Sequence, residues 1–191
     1  MNHKNTIPDT ARTWVEIDLA ALKSNLGVAK QTGKKVMCVV KANAYGHGAI
    51  PVSRFLEANG ADALAVSCIE EAIELRDAGI SLPLLILGPC PASLAQLLAD
   101  RRIIQTVTGY EAAAALSREA EQANVVLPVH IKIDTGMSRL GIQCQREQDL
   151  PAAALEAQQI AALTNLRSDG IFTHLSSADT PEQKDYTVKQ L

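Results

Sequence analysis

The sequence predicts a parallel α/β fold, of the barrel kind rather than the doubly wound kind, and three observations carry that prediction. From Lys35 onward, short apolar runs of strand length alternate six times with stretches of helical period. Repeated strand–helix alternation gives parallel sheets, because a parallel neighbour can be reached only through a crossover connection. The third observation is the run "PVHIKID", in which Val129, Ile131 and Ile133 share one face while His130, Lys132 and Asp134 share the other. Both architectures fit the alternation. A doubly wound sheet, however, is covered by helices on both faces and needs both apolar, whereas a polar inner face suits a strand end bordering a barrel mouth.

The elements follow in order. The polar "MNHKNTIPDT" has no apolar centre, so residues 1–11 are expected to be a disordered tail rather than a signal peptide. In "TWVEIDLAALKSNL", Trp14, Glu16 and Asp18 alternate with Val15, Ile17 and Leu19 before a helical pattern sets in. Residues 12–34 are therefore expected to form an extra strand and helix preceding the barrel, or part of another domain. Residues 35–191 are expected to be the barrel part. Its first unit is "KVMCVVK" with "AIPVSRFLEANG", and Gly60 suits a C-terminal cap. "ALAVS" leads to "CIEEAIELRDAG", stopped at Gly79, and "LPLLILG" leads to "PASLAQLLADR", with Pro91 at the helix start. "RIIQTV" precedes "GYEAAAALSREAEQA", and "LPVHIKID" precedes, after a loop, "LPAAALEAQQIAAL". The sixth unit is "SDGIFTHL" with "TPEQKDYTVKQL", where Thr180 is the expected N-cap, Pro181 the first helical position and Gln183 the capping-box partner.

Composition narrows the function. The 191 residues carry a net charge of −3 and no lysine or arginine run, which argues against a nucleic-acid surface. No apolar stretch approaches the roughly 20 residues of a membrane helix. A cytoplasmic protein without membrane contact is the expectation. Cys38, Cys68, Cys90 and Cys144 lie far apart with no C-x-x-C pair, so they read as reduced, mostly buried thiols rather than a metal site or disulfides.

The chemistry concentrates in "VVKANAYGHG", Val39 to Gly48. Lys41 ends an apolar strand run, where loss of solvation favours the free amine that Schiff-base chemistry requires. Active sites of barrel enzymes sit at this same end of the strands. Gly46 and Gly48 let the backbone pass close to a ligand. The bland alternative is a strand-end lysine reaching out to water, and the residues alone leave both open.

The motif resembles the pyridoxal-phosphate attachment sequence of alanine racemases, and "IKIDTGMSRLG", Ile131 to Gly141, resembles the second signature of that family. "VEIDLAALKSNL" and "GIFTHLSSAD" match in the right order. The resemblance implies a (β/α)8 TIM-type barrel with a C-terminal β domain, and interconversion of L- and D-alanine for cell-wall peptidoglycan by a homodimer. It implies that Lys41 holds pyridoxal 5'-phosphate and acts as one of two racemising bases, and that Tyr45 hydrogen-bonds the cofactor phosphate. Lys132 would be carbamylated and pair with Arg139, which would also orient the cofactor's phenolic oxygen and the substrate; unmodified, Lys132 would turn to Asp134. His174 would support the cofactor's hydrogen-bond network. His47 is expected in a loop, and His130 inside the barrel with a polar partner.

The chain departs from the family in length. Only about six βα units are expected, so the barrel is incomplete and the C-terminal β domain absent. The family's second base, a tyrosine of the partner subunit, has no counterpart in the contexts of Tyr45, Tyr110 or Tyr186. The expectation is an N-terminal part of a racemase, inactive alone. A related amino-acid racemase or decarboxylase of the same cofactor class, and a non-catalytic pyridoxal-phosphate-binding module, are the alternatives.

Overall fold

The computed structural model describes residues 12–191, so the tail expected over residues 1–11 lies outside the described residues. Residues 13–18 belong to no strand, contrary to their alternation. A strand persists only where its amides meet a partner, and among the described residues no strand pairs with this segment. The helix after it does form: α1 (Leu19–Lys30) starts where the Asp18 carboxylate accepts the N–H groups of Ala20 and Ala21 at 2.8 and 3.1 Å.

The six predicted units are all present. They are β1 (Met37–Val39) with α2 (Lys41–Tyr45) and α3 (Ala49–Ala58), β2 (Ala63–Val66) with α4 (Ile69–Asp77), and β3 (Leu84–Ile86) with α5 (Ala95–Asp100). Then come β4 (Ile104–Val107) with α6 (Tyr110–Gln122), β5 (Leu127–Asp134) with α7 (Leu150–Ala161), and β7 (Leu166–Phe172) with α8 (Lys184–Lys189). An unpredicted β6 (Ile142–Gln143) pairs with Ile133 and Asp134 at the end of β5. The expected capping box before α8 is not made. Pro181–Gln183 is a 3-10 turn, closed by the Gln183 N–H donating to the Thr180 backbone oxygen at 2.9 Å, and the Thr180 side chain caps nothing.

Strands β1, β2, β3, β4, β5 and β7 lie side by side in chain order, and every pairing is parallel. A doubly wound sheet reverses its order at a switch point; this order never reverses, as in a barrel. Successive helices pack on one another, α3 on α4, α5 on α6 and α6 on α7. The middle strands are buried on both faces, with Leu64, Ala65, Val66, Leu84 and Ile86 fully inaccessible. The two outermost strands differ: Met37 and Val39 on β1 are 37% and 41% exposed, and Ile171 on β7 is 64% exposed.

Side chains tie down the loops at the N-terminal end of the sheet. The Arg76 guanidinium donates to the carbonyls of Ile80, Leu82, Arg101 and Arg102. Glu57 accepts the Ser81 N–H and hydroxyl and the Leu82 N–H at 2.8, 2.7 and 3.1 Å. The four cysteines are free and half-buried. Among the described residues no helix is long and apolar enough to cross a membrane.

Candidate active site

Alternation along β1 puts Met37, Val39 and Lys41 on one face, while Val40, 2% exposed, turns the other way into the core. Lys41 stands just past the C-terminal end of the strand, and the residues after it do not form an ordinary loop. Ala42, Asn43, Ala44 and Tyr45 all have φ between 50° and 55°, one turn of left-handed helix. For L-residues that conformation costs roughly 1–2 kcal/mol each, least where a short polar side chain bonds locally. The motif's other residues offset this cost. The Asn43 carboxamide oxygen accepts the Ala49 N–H at 2.7 Å, and the His47 ring Nδ1 donates to the Ala44 carbonyl at 2.9 Å. Gly46 and Gly48 continue the positive φ at 86° and 92°, where only glycine is unstrained. The Ala42 N–H donates to Glu71 Oε1 at 2.7 Å, and Ala44 is buried. Asn43, His47 and the glycines therefore build the turn that separates Lys41 from Tyr45.

The second signature forms the end of β5 and the turn after it. Lys132 is 6% exposed; its Nζ donates to the Ile133 carbonyl at 2.7 Å and lies 5.5 Å from the centre of the Phe172 ring. Burial, reinforced by the Arg139 charge and opposed by Asp134, pushes the Lys132 amine below its ordinary pKa. The alternative pairing of Lys132 with Asp134 is not formed. Asp134 instead accepts the N–H groups of Gly136 and Ser138 at 3.0 and 2.9 Å, facing the turn rather than sharing a polar wall with His130 and Lys132. Burial alone would raise its carboxyl, but the Ser138 and Gly136 donors, Gln145 and Lys132 outweigh that and hold it below the usual carboxylate range. Gly141, with φ 117°, lies so close to β5 that an added Cβ would stand 2.7 Å from the Lys132 carbonyl oxygen. The chain thus folds back tightly and brings Arg139 over the end of its own strand.

Lys41, Tyr45, Lys132, Arg139 and His174 all line one pocket of about 540 Å³. Lys132 is buried, Lys41 half-buried, and Tyr45, Arg139 and His174 are exposed at its rim. Met37, Val39, Ala65 and Leu85 supply apolar wall, and among the described residues no aspartate or glutamate lines it. None of the salt bridges among the described residues involves Lys41, Lys132 or Arg139. The field is positive: burial first, then Arg139, Lys132 and Lys41, pushes the His174 imidazole below its ordinary pKa, which favours its neutral form. His130 also lines the pocket but forms no hydrogen bond among the described residues; its ring packs over Gly170 and toward Phe172. Sequence reasoning had no signal for Ser67 and Gly88 in this wall, or for Glu71 behind it.

Residues 17–191 match the alanine racemase N-terminal domain. The chain belongs to the alanine racemase family. It is 42% identical to the alanine racemase of Halothermothrix orenii, over the whole of this chain and 48% of that protein. An alanine racemase from Clostridium difficile 630, solved in complex with cycloserine, superposes with a TM-score of 0.84 at 38% identity, covering 95% of this chain and 49% of that one. A histidine racemase from Leuconostoc mesenteroides superposes with a TM-score of 0.78 at 30% identity, over 90% of this chain and 46% of that one. The chain spans about half the length of the curated relatives it matches. Its fold is accordingly that of the family's N-terminal barrel domain.

Proposed function

We propose that this chain is the cofactor-holding part of a pyridoxal-phosphate-dependent alanine racemase. The observation that carries the reading is one pocket at the C-terminal ends of parallel strands, which unites two amines, a phenol and a guanidinium and, among the described residues, has no carboxylate in its lining. That donor set fits a cofactor bearing an aldehyde, a phenolic oxygen and a phosphate. When bound, pyridoxal phosphate supplies an aldehyde that condenses with amines and a ring that accepts the electron pair left by a departing α-proton. Lys41 would hold the cofactor through Nζ and move the α-proton on the face of the substrate it borders. Tyr45, one left-handed turn further on, would bond the phosphate through its hydroxyl. Arg139 would orient the phenolic oxygen and the substrate carboxylate. His174, neutral in this cationic pocket, would support the hydrogen-bond network without adding charge.

Lys132 is the unusual member. A buried amine beside a guanidinium is unfavourable as a cation, and a neutral Nζ can add to carbon dioxide, releasing one proton and leaving a carbamate anion that pairs with Arg139. Supply of D-alanine to peptidoglycan, a cytoplasmic location and a homodimeric intact enzyme belong to the same reading, supported by the family membership. Racemisation needs a second base on the opposite face of the substrate. Tyr45 is the one tyrosine lining this pocket among the described residues, and in this reading it holds the phosphate.

The test is to express the protein in the form its gene encodes, load it with pyridoxal phosphate and incubate it with L-alanine in heavy water. D-alanine carrying α-deuterium, lost in Lys41→Ala, supports the reading. The histidine racemase likeness favours one second reading, a racemase of another specificity. Conversion of L-histidine but not L-alanine would select it. Cofactor binding with no exchange on either amino acid would leave a non-catalytic binding module.

A further inference from the structure

Glu71 sits on α4, just outside the pocket lining. Its two carboxylate oxygens are divided between two elements: Oε1 accepts the Ala42 N–H at 2.7 Å and Oε2 accepts the Ser67 N–H at 2.7 Å. Ala42 comes directly after Lys41 and opens the left-handed turn, with φ 50° and ψ 52°. Ser67 comes directly after the last residue of β2 and lines the same pocket as Lys41. We propose that Glu71 is a positioning residue for Lys41, fastening the left-handed turn to the end of β2 and so fixing where the lysine amine stands in the pocket. The inference rests on Lys41 being the cofactor lysine.

Three features support it. The turn is locally disfavoured, and beside the contacts made within the motif its first N–H is held by a residue of another element. The Ala42 N–H precedes any acceptor of the turn itself, and Glu71, 29 positions away in sequence, is its partner. The two N–H groups also meet different oxygens of the one carboxylate, so in this geometry the amide of Glu71→Gln would turn a donor toward one of them.

The plain alternative is that Glu71 is only a structural tie, like Glu57, which accepts three donors at the opposite end of the strands. The two roles separate in one experiment. The unsubstituted protein, Glu71→Gln and Glu57→Gln are each given limiting pyridoxal phosphate and reduced with borohydride. Peptide mass mapping then gives the rate of adduct formation on Lys41 and its share relative to the other lysines, and thermal melts run alongside. Both substitutions should lower the melting temperature, but only Glu71→Gln should slow Lys41 labelling, by roughly 10- to 100-fold for a displaced reacting group, and spread the adduct to other lysines. Equal labelling of Lys41 in Glu71→Gln and Glu57→Gln would overturn the positioning role while leaving Lys41 as the cofactor lysine. No preference for Lys41 in the unsubstituted protein would overturn the reading on which the inference stands.

Discussion

Replacing Ala42 by glycine should stabilise the protein, the reverse of what that substitution does in ordinary helices. Ala42 has φ 50° and ψ 52°, and its side chain is exposed, so no packing is lost. Glycine relieves a left-handed penalty of roughly 1–2 kcal/mol. It also frees the unfolded chain, which costs about 0.4–1 kcal/mol. The difference between the two ranges centres on a gain of about 0.8 kcal/mol, or an increase of roughly 2–3 °C in melting temperature for a chain of this size. Ala154, exposed within the right-handed helix α7, is the control. Ala154→Gly should cost about 1 kcal/mol and lower the melting temperature by about 2–4 °C. Urea titrations that read the midpoints at unchanged slope separate the two. If Ala42→Gly destabilises as much as Ala154→Gly, the turn after Lys41 is not held in a strained left-handed form.

The other predictions concern β5 and its turn. With 13C-labelled bicarbonate, the protein should show a carbamate carbon signal that disappears in Lys132→Ala; a signal that survives the substitution, or none in the unsubstituted protein, contradicts carbamylation. Asp134, held below the usual carboxylate range, should stabilise the turn at pH values above its unfolded pKa of about 3.9. Between the folded and unfolded values the unfolded state binds more protons, so this contribution is lost as pH falls through the lowered folded value. Asp134→Asn should therefore be less stable at pH 7, and the gap should narrow below about pH 4; a gap constant down to pH 3 refutes the role of the charge. Gly141→Ala should destabilise by about 1–3 kcal/mol through strain at φ 117° and the close Lys132 carbonyl, and should reduce cofactor retention by moving Arg139. Unchanged stability on thermal melting would show that the chain does not need that close approach.

The strands were legible because short apolar runs alternating with stretches of helical period can hardly be anything else in an α/β chain. Even the bounds of β5 follow from its sequence. The segment around Trp14 shows where that reasoning stops: alternation marks a capacity to pair, and the partner is a tertiary matter. β6, two residues long, carries no periodicity at all. Lys41, Tyr45, Lys132, Arg139 and His174 were legible through resemblance, and the polar face of "PVHIKID" pointed independently to Lys132. Asp134 left that face because two turn amides compete for its carboxylate. The left-handed turn was not legible, since "ANAYGHG" reads as a loop and one of the turn's ties, Glu71, lies far away in sequence.

The most direct test of the central claim is the position of the cofactor attachment. The protein is loaded with pyridoxal phosphate, reduced with borohydride, digested and mapped by mass. The pocket at the ends of β1 and β5 predicts a single dominant pyridoxyl adduct on Lys41, lost in Lys41→Ala and not transferred elsewhere. An adduct on Lys35 or Lys132 in its place, or labelling indifferent to Lys41→Ala, would contradict it.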